Sequence, residues 1–175
     1  MADQDLINSG NGSGDANTGP QAATLAQYIK DLSIENPNSP QVYQWQEQPR
    51  VDVQFNINVE KASDELHEVI IKLEVSARSD SGVQFLVDLS YAGLFGLRNF
   101  PEEAMGPFLL VEAPRLLFPF ARQIVADATS NTGFPPLLLD PIDFTGAYVA
   151  QLQAQQESGA APQGAAPTGE EPGQA

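Results

Sequence analysis

Residues 51–60 alternate without a fault. Val51, Val53, Phe55, Ile57 and Val59 are apolar, and Asp52, Gln54, Asn56, Asn58 and Glu60 are polar. Only an extended strand sends successive side chains to opposite sides, so this segment is a strand with one buried and one wetted face. Three more stretches share the period. In residues 66–77 the inner set is Val69, Ile71, Leu73, Val75 and Ala77, and the outer set is Glu68, Ile70, Lys72, Glu74 and Ser76. In residues 83–94, Val83, Phe85, Val87, Leu89 and Tyr91 alternate with Gln84, Leu86, Asp88 and Ser90. Residues 28–35 alternate less cleanly, with Leu32 and Ile34 inward and Asp31, Ser33 and Glu35 outward. Residues 36–40, with two prolines, end that strand, and residues 78–82 read as a hairpin loop.

From Pro101 the period becomes helical. Pro101 and the acids Glu102 and Glu103 suit a helix start, and Gly106-Pro107 interrupts it. Pro114 fits the first position of a longer helix to about Ser130, kinked by Pro119, with Leu117, Phe120, Ile124 and Ala128 on one stripe. Residues 134–141 hold too many prolines for a helix and too many leucines for a free loop. Asp143 caps a last helix from Phe144 to about Gln155, with Phe144, Tyr148 and Leu152 on one side. Strands first and helices last argue an α+β fold: a four-stranded antiparallel sheet with helices packed on one face, not βαβ crossovers.

The folded part is residues 24–156. Residues 1–23 and 157–175 contain no aromatic residue and are rich in glycine, alanine and, at the C-terminus, proline. Neither buries enough apolar surface to offset an ordering cost of about 1–2 kcal/mol per backbone residue, so both read as disordered tails, the second acidic.

Lys and Arg total 8 against 23 Asp and Glu, a formal charge of −15. That charge argues against nucleic acid and against an anionic membrane surface, and favours basic partners. The start, MADQDLINSGNG, lacks the cationic and apolar regions of a secretory signal, and no stretch reaches 18 consecutive apolar residues. The expected location is the cytoplasm, without membrane insertion. With no cysteine and only His67, disulfides, thiolate chemistry and Cys- or His-rich metal sites are excluded, and no cofactor motif is present. His67 and Glu68 are strand neighbours on opposite faces, so they make no acid/base pair. Asp140 and Asp143 are accounted for as a turn acid and a helix cap.

Two surfaces remain. The outer sheet face carries Asp31, Glu35, Glu68, Glu74 and Asp88 with Leu86, Ile70 and one cation, Lys72. It reads as a solvated face or as a docking patch for a basic partner with Leu86 as apolar anchor. The helical half holds more apolar surface than one core of this size needs. Core, subunit interface and a groove for an extended apolar ligand all account for it.

The stretch Leu117-Phe-Pro-Phe-Ala-Arg122, the run from Gly133 through Phe-Pro-Pro-Leu-Leu-Leu-Asp-Pro-Ile-Asp to Phe144, residues 29–37 and Tyr91-Ala-Gly-Leu-Phe95 resemble the SecB family of bacterial protein-export chaperones, over roughly residues 27–155. The resemblance implies a homotetramer, a dimer of dimers. It also implies an ATP-independent holdase that binds unfolded preproteins in hydrophobic grooves and passes them to the SecA motor. It assigns SecA binding to Asp31, Glu35, Leu86 and Asp88, where Asp88 stands in place of a glutamate that members can carry. It assigns client binding to Phe95, Leu97, Phe100, Leu137, Leu138 and Leu139, and a second SecA contact to the C-terminal tail. Three other readings are compatible with the residues: a SecB-like chaperone dedicated to one client such as an antitoxin, a small enzyme using Asp140 or Asp143, and an acidic scaffold that binds no unfolded chains.

Overall fold

The computed structural model describes residues 19–159. Four antiparallel strands form one sheet: β1 (Gln21–Glu35), β2 (Arg50–Lys61), β3 (Leu66–Ser79) and β4 (Gly82–Arg98), in the order β1-β4-β3-β2. β2, β3 and β4 are successive hairpins. The β3–β4 ladder runs to Ser79 opposite Gly82, so the expected five-residue loop tightens to the pair Asp80 and Ser81. Gly82 sits at φ +141°, and a Cβ there would meet the Trp45 ring at 3.3 Å. Only glycine accepts that backbone. β1 lies at the opposite edge from β2, so residues 36–49 cross the end of the sheet as a strap. Tyr43 ties the strap down: its hydroxyl accepts from Asn36 Nδ2 at 2.7 Å and donates to the Thr132 carbonyl at 2.6 Å.

β1 begins at Gln21, inside the segment read as tail, and carries register shifts between Thr24 and Ala26 and between Ile29 and Asp31. These bulges explain its imperfect alternation, since each inserts a residue that resets which face follows. β4 continues four residues past Leu94, to Arg98. Residues 1–18 and 160–175, which hold most of both expected tails, lie outside the described residues.

The helical half departs from expectation at its prolines. Gly106-Pro107 does not end the helix. α1 (Glu102–Pro107), a π-helical turn (Phe108–Glu112) and α2 (Ala113–Asn131) form one 30-residue helix, Glu102–Asn131. A proline removes one backbone donor and crowds the carbonyl four residues back. The wider π turn immediately before Pro114 relieves that crowding without breaking the helix. By length and composition this helix is long and apolar enough to cross a membrane, unlike anything expected from the sequence. It lies on the sheet instead, against β4 and β3.

Leu117, Ala121 and Val125 on α2 are fully buried, as are Val69, Ile71 and Leu73 of β3 and Leu89 and Phe95 of β4. The expected stripe is right at Leu117 and Ala128 but wrong at Phe120, which is 52% exposed. The helix buries Ala121 and Thr129 instead. The chain divides into two compact units between Leu139 and Asp140. In the second, α3 (Phe144–Gly159) starts as expected: the Gly146 N–H donates to Asp143 Oδ1 at 2.9 Å. The helix runs four residues beyond its expected end.

Candidate functional site

Register fixes what the outer sheet face displays. Reading across β1, β4, β3 and β2, one row is Glu35, Leu86, Ser76, Asp52 and the next is Ser33, Asp88, Glu74, Gln54. A third row is Asp31, Ser90, Lys72, Asn56. The first two rows and Arg78 line a shallow groove of about 430 Å³ that spans all four strands. Glu35, Leu86 and Asp88 therefore meet in one groove, and Asp31 stands one row beyond it on the same face. Asp52 and Gln54 complete the groove and were absent from the expected docking patch, which already held Glu74. The alternation of 51–60 had already turned Asp52 and Gln54 outward. What the sequence did not disclose is that the far edge strand, β2, closes the same groove as β1.

Lys72 Nζ lies 3.0 Å from Glu74 Oε1 and 3.8 Å from Asp88 Oδ2. The hydrogen bond to Glu74 and the nearby Asp88 charge hold the ammonium above its ordinary pKa. It is not the only cation on this face. The bulge after Ile29 brings Lys30 over the sheet, where Nζ meets Glu68 at 2.7 Å and Glu60 at 3.6 Å, and Tyr28 donates to the same Glu68 carboxylate. Those two donors, Lys30 first, hold Glu68 below the usual carboxylate range. This end of the face is thereby charge-satisfied.

On the helix-bearing side, a second groove of about 380 Å³ is lined by Glu47, Gln48, Pro49 and Val51 on one wall and by Phe134 to Leu137 on the other, over Phe85 and Gln84. Phe134 packs on Phe85 and Tyr43, with ring centroids 5.2 and 5.7 Å apart. The Leu137 N–H donates to Thr129 Oγ1 at 2.9 Å. The proline-rich run is thus pinned between sheet and helix rather than loose.

Among the residues expected to meet clients, Leu137 lines this groove and Leu138 is 64% exposed beside it, while Leu139 is buried. Phe95 and Leu97 require a correction. The longer β4 carries them on along the inner face, where they are 0% and 3% exposed, and the Phe108 ring meets Phe95 edge-on at 5.8 Å. They are core, closed to a peptide while the helix is in place. Phe100 is half-buried on the other side of Phe108 and away from the groove. The groove's Val51, Phe85 and Phe134 were missed.

Outside the groove, the inner rows of both edge strands lie open. Val53 and Phe55 of β2 and Ile29 and Leu32 of β1 are exposed, as are Leu116 and Phe120 of α2. Alternation had placed the β2 row in a core, but a single chain leaves it uncovered. His67 is buried with an unpartnered Nδ1, and burial, then the Lys61 charge, lowers its pKa. Glu68 points to the outer face, so the two make no catalytic pair. Among the described residues no group of three or more His, Asp or Glu is placed to hold a metal ion.

An acidic groove crosses one face of the sheet and an apolar groove lies on the other, surfaces suited to binding other chains and not to catalysis. The comparisons agree. Residues 15–155 match the family model for preprotein translocase subunit SecB. The protein-export protein SecB of Sphingopyxis alaskensis is 55% identical over 139 residues, covering 79% of this chain and 81% of that protein. That of Erythrobacter litoralis is 48% identical over 170 residues, covering 94% and 95%. In structure, the chain is similar to a SecB-like chaperone of Mycobacterium tuberculosis, solved with a ChAD peptide from the HigA1 antitoxin. The TM-score is 0.58 at 20% identity, over 70% of this chain and 91% of that one, a likeness of fold. The chain belongs to the SecB family of protein-export chaperones.

Proposed function

We propose that this protein holds unfolded preproteins in extended form, without nucleotide, and hands them to the SecA ATPase in the cytoplasm, working as a homotetramer built as a dimer of dimers. The observation that carries the reading is the separation of the two grooves. The acidic groove with Leu86 lies on the outer sheet face, and the apolar groove between strap and proline-rich run lies on the inner side. A client and a basic partner thus have different surfaces, which a handover requires. The client surface is Val51, Phe134, Leu137 and exposed Leu138 above a floor formed by buried Phe85, in place of Phe95 and Leu97. The partner surface is Glu35, Leu86 and Asp88 with Asp31 at its margin. Several weak apolar sites on one oligomer would supply avidity for a long client. The uncovered apolar rows of β1, β2 and α2 supply the surface for assembly.

The test is mass by light scattering, alone and with a reduced unfolded preprotein, followed by SecA binding. A mass near four chains that rises with client supports the reading. Leu86→Arg should abolish SecA binding and spare the client, and Leu138→Asp should do the reverse. A monomer indifferent to unfolded chains refutes it.

A further inference from the structure

We propose that Lys72 is a built-in counter-cation that confines a basic partner to the row Glu35–Leu86–Asp52, making Asp52 a specificity-determining residue of the docking groove. This rests on the reading of the outer groove as the docking site for a basic partner.

The register carries the argument. This row has a carboxylate at each edge of the sheet and Leu86 between them, with Arg50 opposite Arg78 in the next position out. Three strand spacings separate Glu35 from Asp52, roughly 14 Å. Neither has a Lys or Arg within ion-pair distance among the described residues, although Arg78 lines the groove and is hydrogen-bonded to Ser76 Oγ at 3.3 Å. Asp52 accepts only a neutral donor, Gln54 Nε2, at 3.2 Å. The second row is different. Its two carboxylates, Asp88 and Glu74, face each other across β4 and β3, and Lys72 lies against both. A partner cation gains little there, because it must displace a tethered ammonium that is always present. At the Glu35–Asp52 row neither carboxylate is ion-paired, although Arg50 and Arg78 stand next along β2 and β3. The favoured partner segment therefore carries cations about 14 Å apart flanking an aliphatic side chain, set across the strands.

The experiment measures binding of the intact protein to a dye-labelled Lys- and Arg-rich peptide with a central leucine, by anisotropy at low and high salt. Asp52→Asn should weaken binding about as much as Glu35→Gln, and Glu74→Gln should change it little. Lys72→Met keeps the aliphatic stem, removes the competitor, and should tighten binding about two- to fivefold, the range of exposed ion pairs. The gain should vanish at high salt. In the Lys72→Met background, Glu74→Gln should now weaken binding. Lys61→Met removes the same charge at the far end of β2 and should have less than half the effect. Lys72→Gln guards against an effect of the methionine itself.

Unchanged or weaker binding in both Lys72 variants, equal effects of Lys61→Met and Lys72→Met, or no loss with Asp52→Asn would each overturn the inference, while loss with Leu86→Arg leaves the docking reading standing. If Leu86→Arg and Glu35→Gln both bind the peptide like the unaltered protein, the docking reading itself fails.

Discussion

Gly93 on β4 lies directly beneath Leu117 of α2, and replacing it with alanine tests the account of the core. A Cβ at Gly93 would fall 2.7 Å from Leu117 Cδ2 and 2.8 Å from Phe95 Cε2. Its backbone is outside the left-handed region, so alanine costs nothing in conformation and the whole penalty is steric. The tip of a leucine ordinarily swings aside, but Leu117 and Phe95 are both fully buried, so each moves only by displacing another core side chain. Overpacking of this kind costs about 1–3 kcal/mol. Leu117→Ala alone removes a fully buried side chain from above a residue with none of its own to fill the space, and should cost about 3–5 kcal/mol. Combined, the two changes should cost about 1–2 kcal/mol less than their sum, because the new methyl occupies part of the cavity. Urea unfolding at one fixed protein concentration reads all three, since the apparent stability of an oligomer depends on concentration. A Gly93→Ala protein within 0.5 kcal/mol of the parent, about the size expected for a surface change, or strict additivity of the pair, would refute the close approach of α2 to β4.

Three further outcomes follow from particular contacts. Glu68 is held below its ordinary value of 4.5 by Lys30 and Tyr28. Its contribution to stability should be complete at neutral pH and disappear as pH falls through the folded-state value, and Glu68→Gln should flatten the acid limb of a stability–pH curve. Tyr43→Phe keeps the ring on Phe134 but removes the hydroxyl shared by Asn36 and Thr132; it should cost about 0.5–1.5 kcal/mol and speed amide exchange in the strap, measured by mass spectrometry. Asp143→Ala should fray the first turn of α3 at a cost of about 1 kcal/mol, visible in exchange of the Gly146 amide, and Asp143→Asn should retain most of the cap.

The strands and their faces were legible in the sequence because a period of two is a local property. Val51 to Glu60 needs no tertiary information to display Asp52 on the side away from Val51, and the same logic turned Glu35, Leu86 and Asp88 to one face. Asp143 was legible too, since a cap acts on a donor three residues away. The prolines of the long helix misled, because Pro107 and Pro114 break an α-helix locally and only a π turn between them restores continuity. Phe120 misled through rotation: which side of a helix is buried depends on what it lies against.

The sequence by itself determined four strands, two chemically different faces and a helical second half, all consequences of side-chain order along the chain. The tertiary structure alone decided that β1 and β2 become opposite edges, so that Glu35 and Asp52, far apart in sequence, close the two ends of one groove. It decided that Phe95 and Leu97 are core, because a strand's length depends on its partner's pairing. It also decided where Lys72 lies, against Glu74 and Asp88, because a counter-ion is defined by distances across strands that no periodicity records.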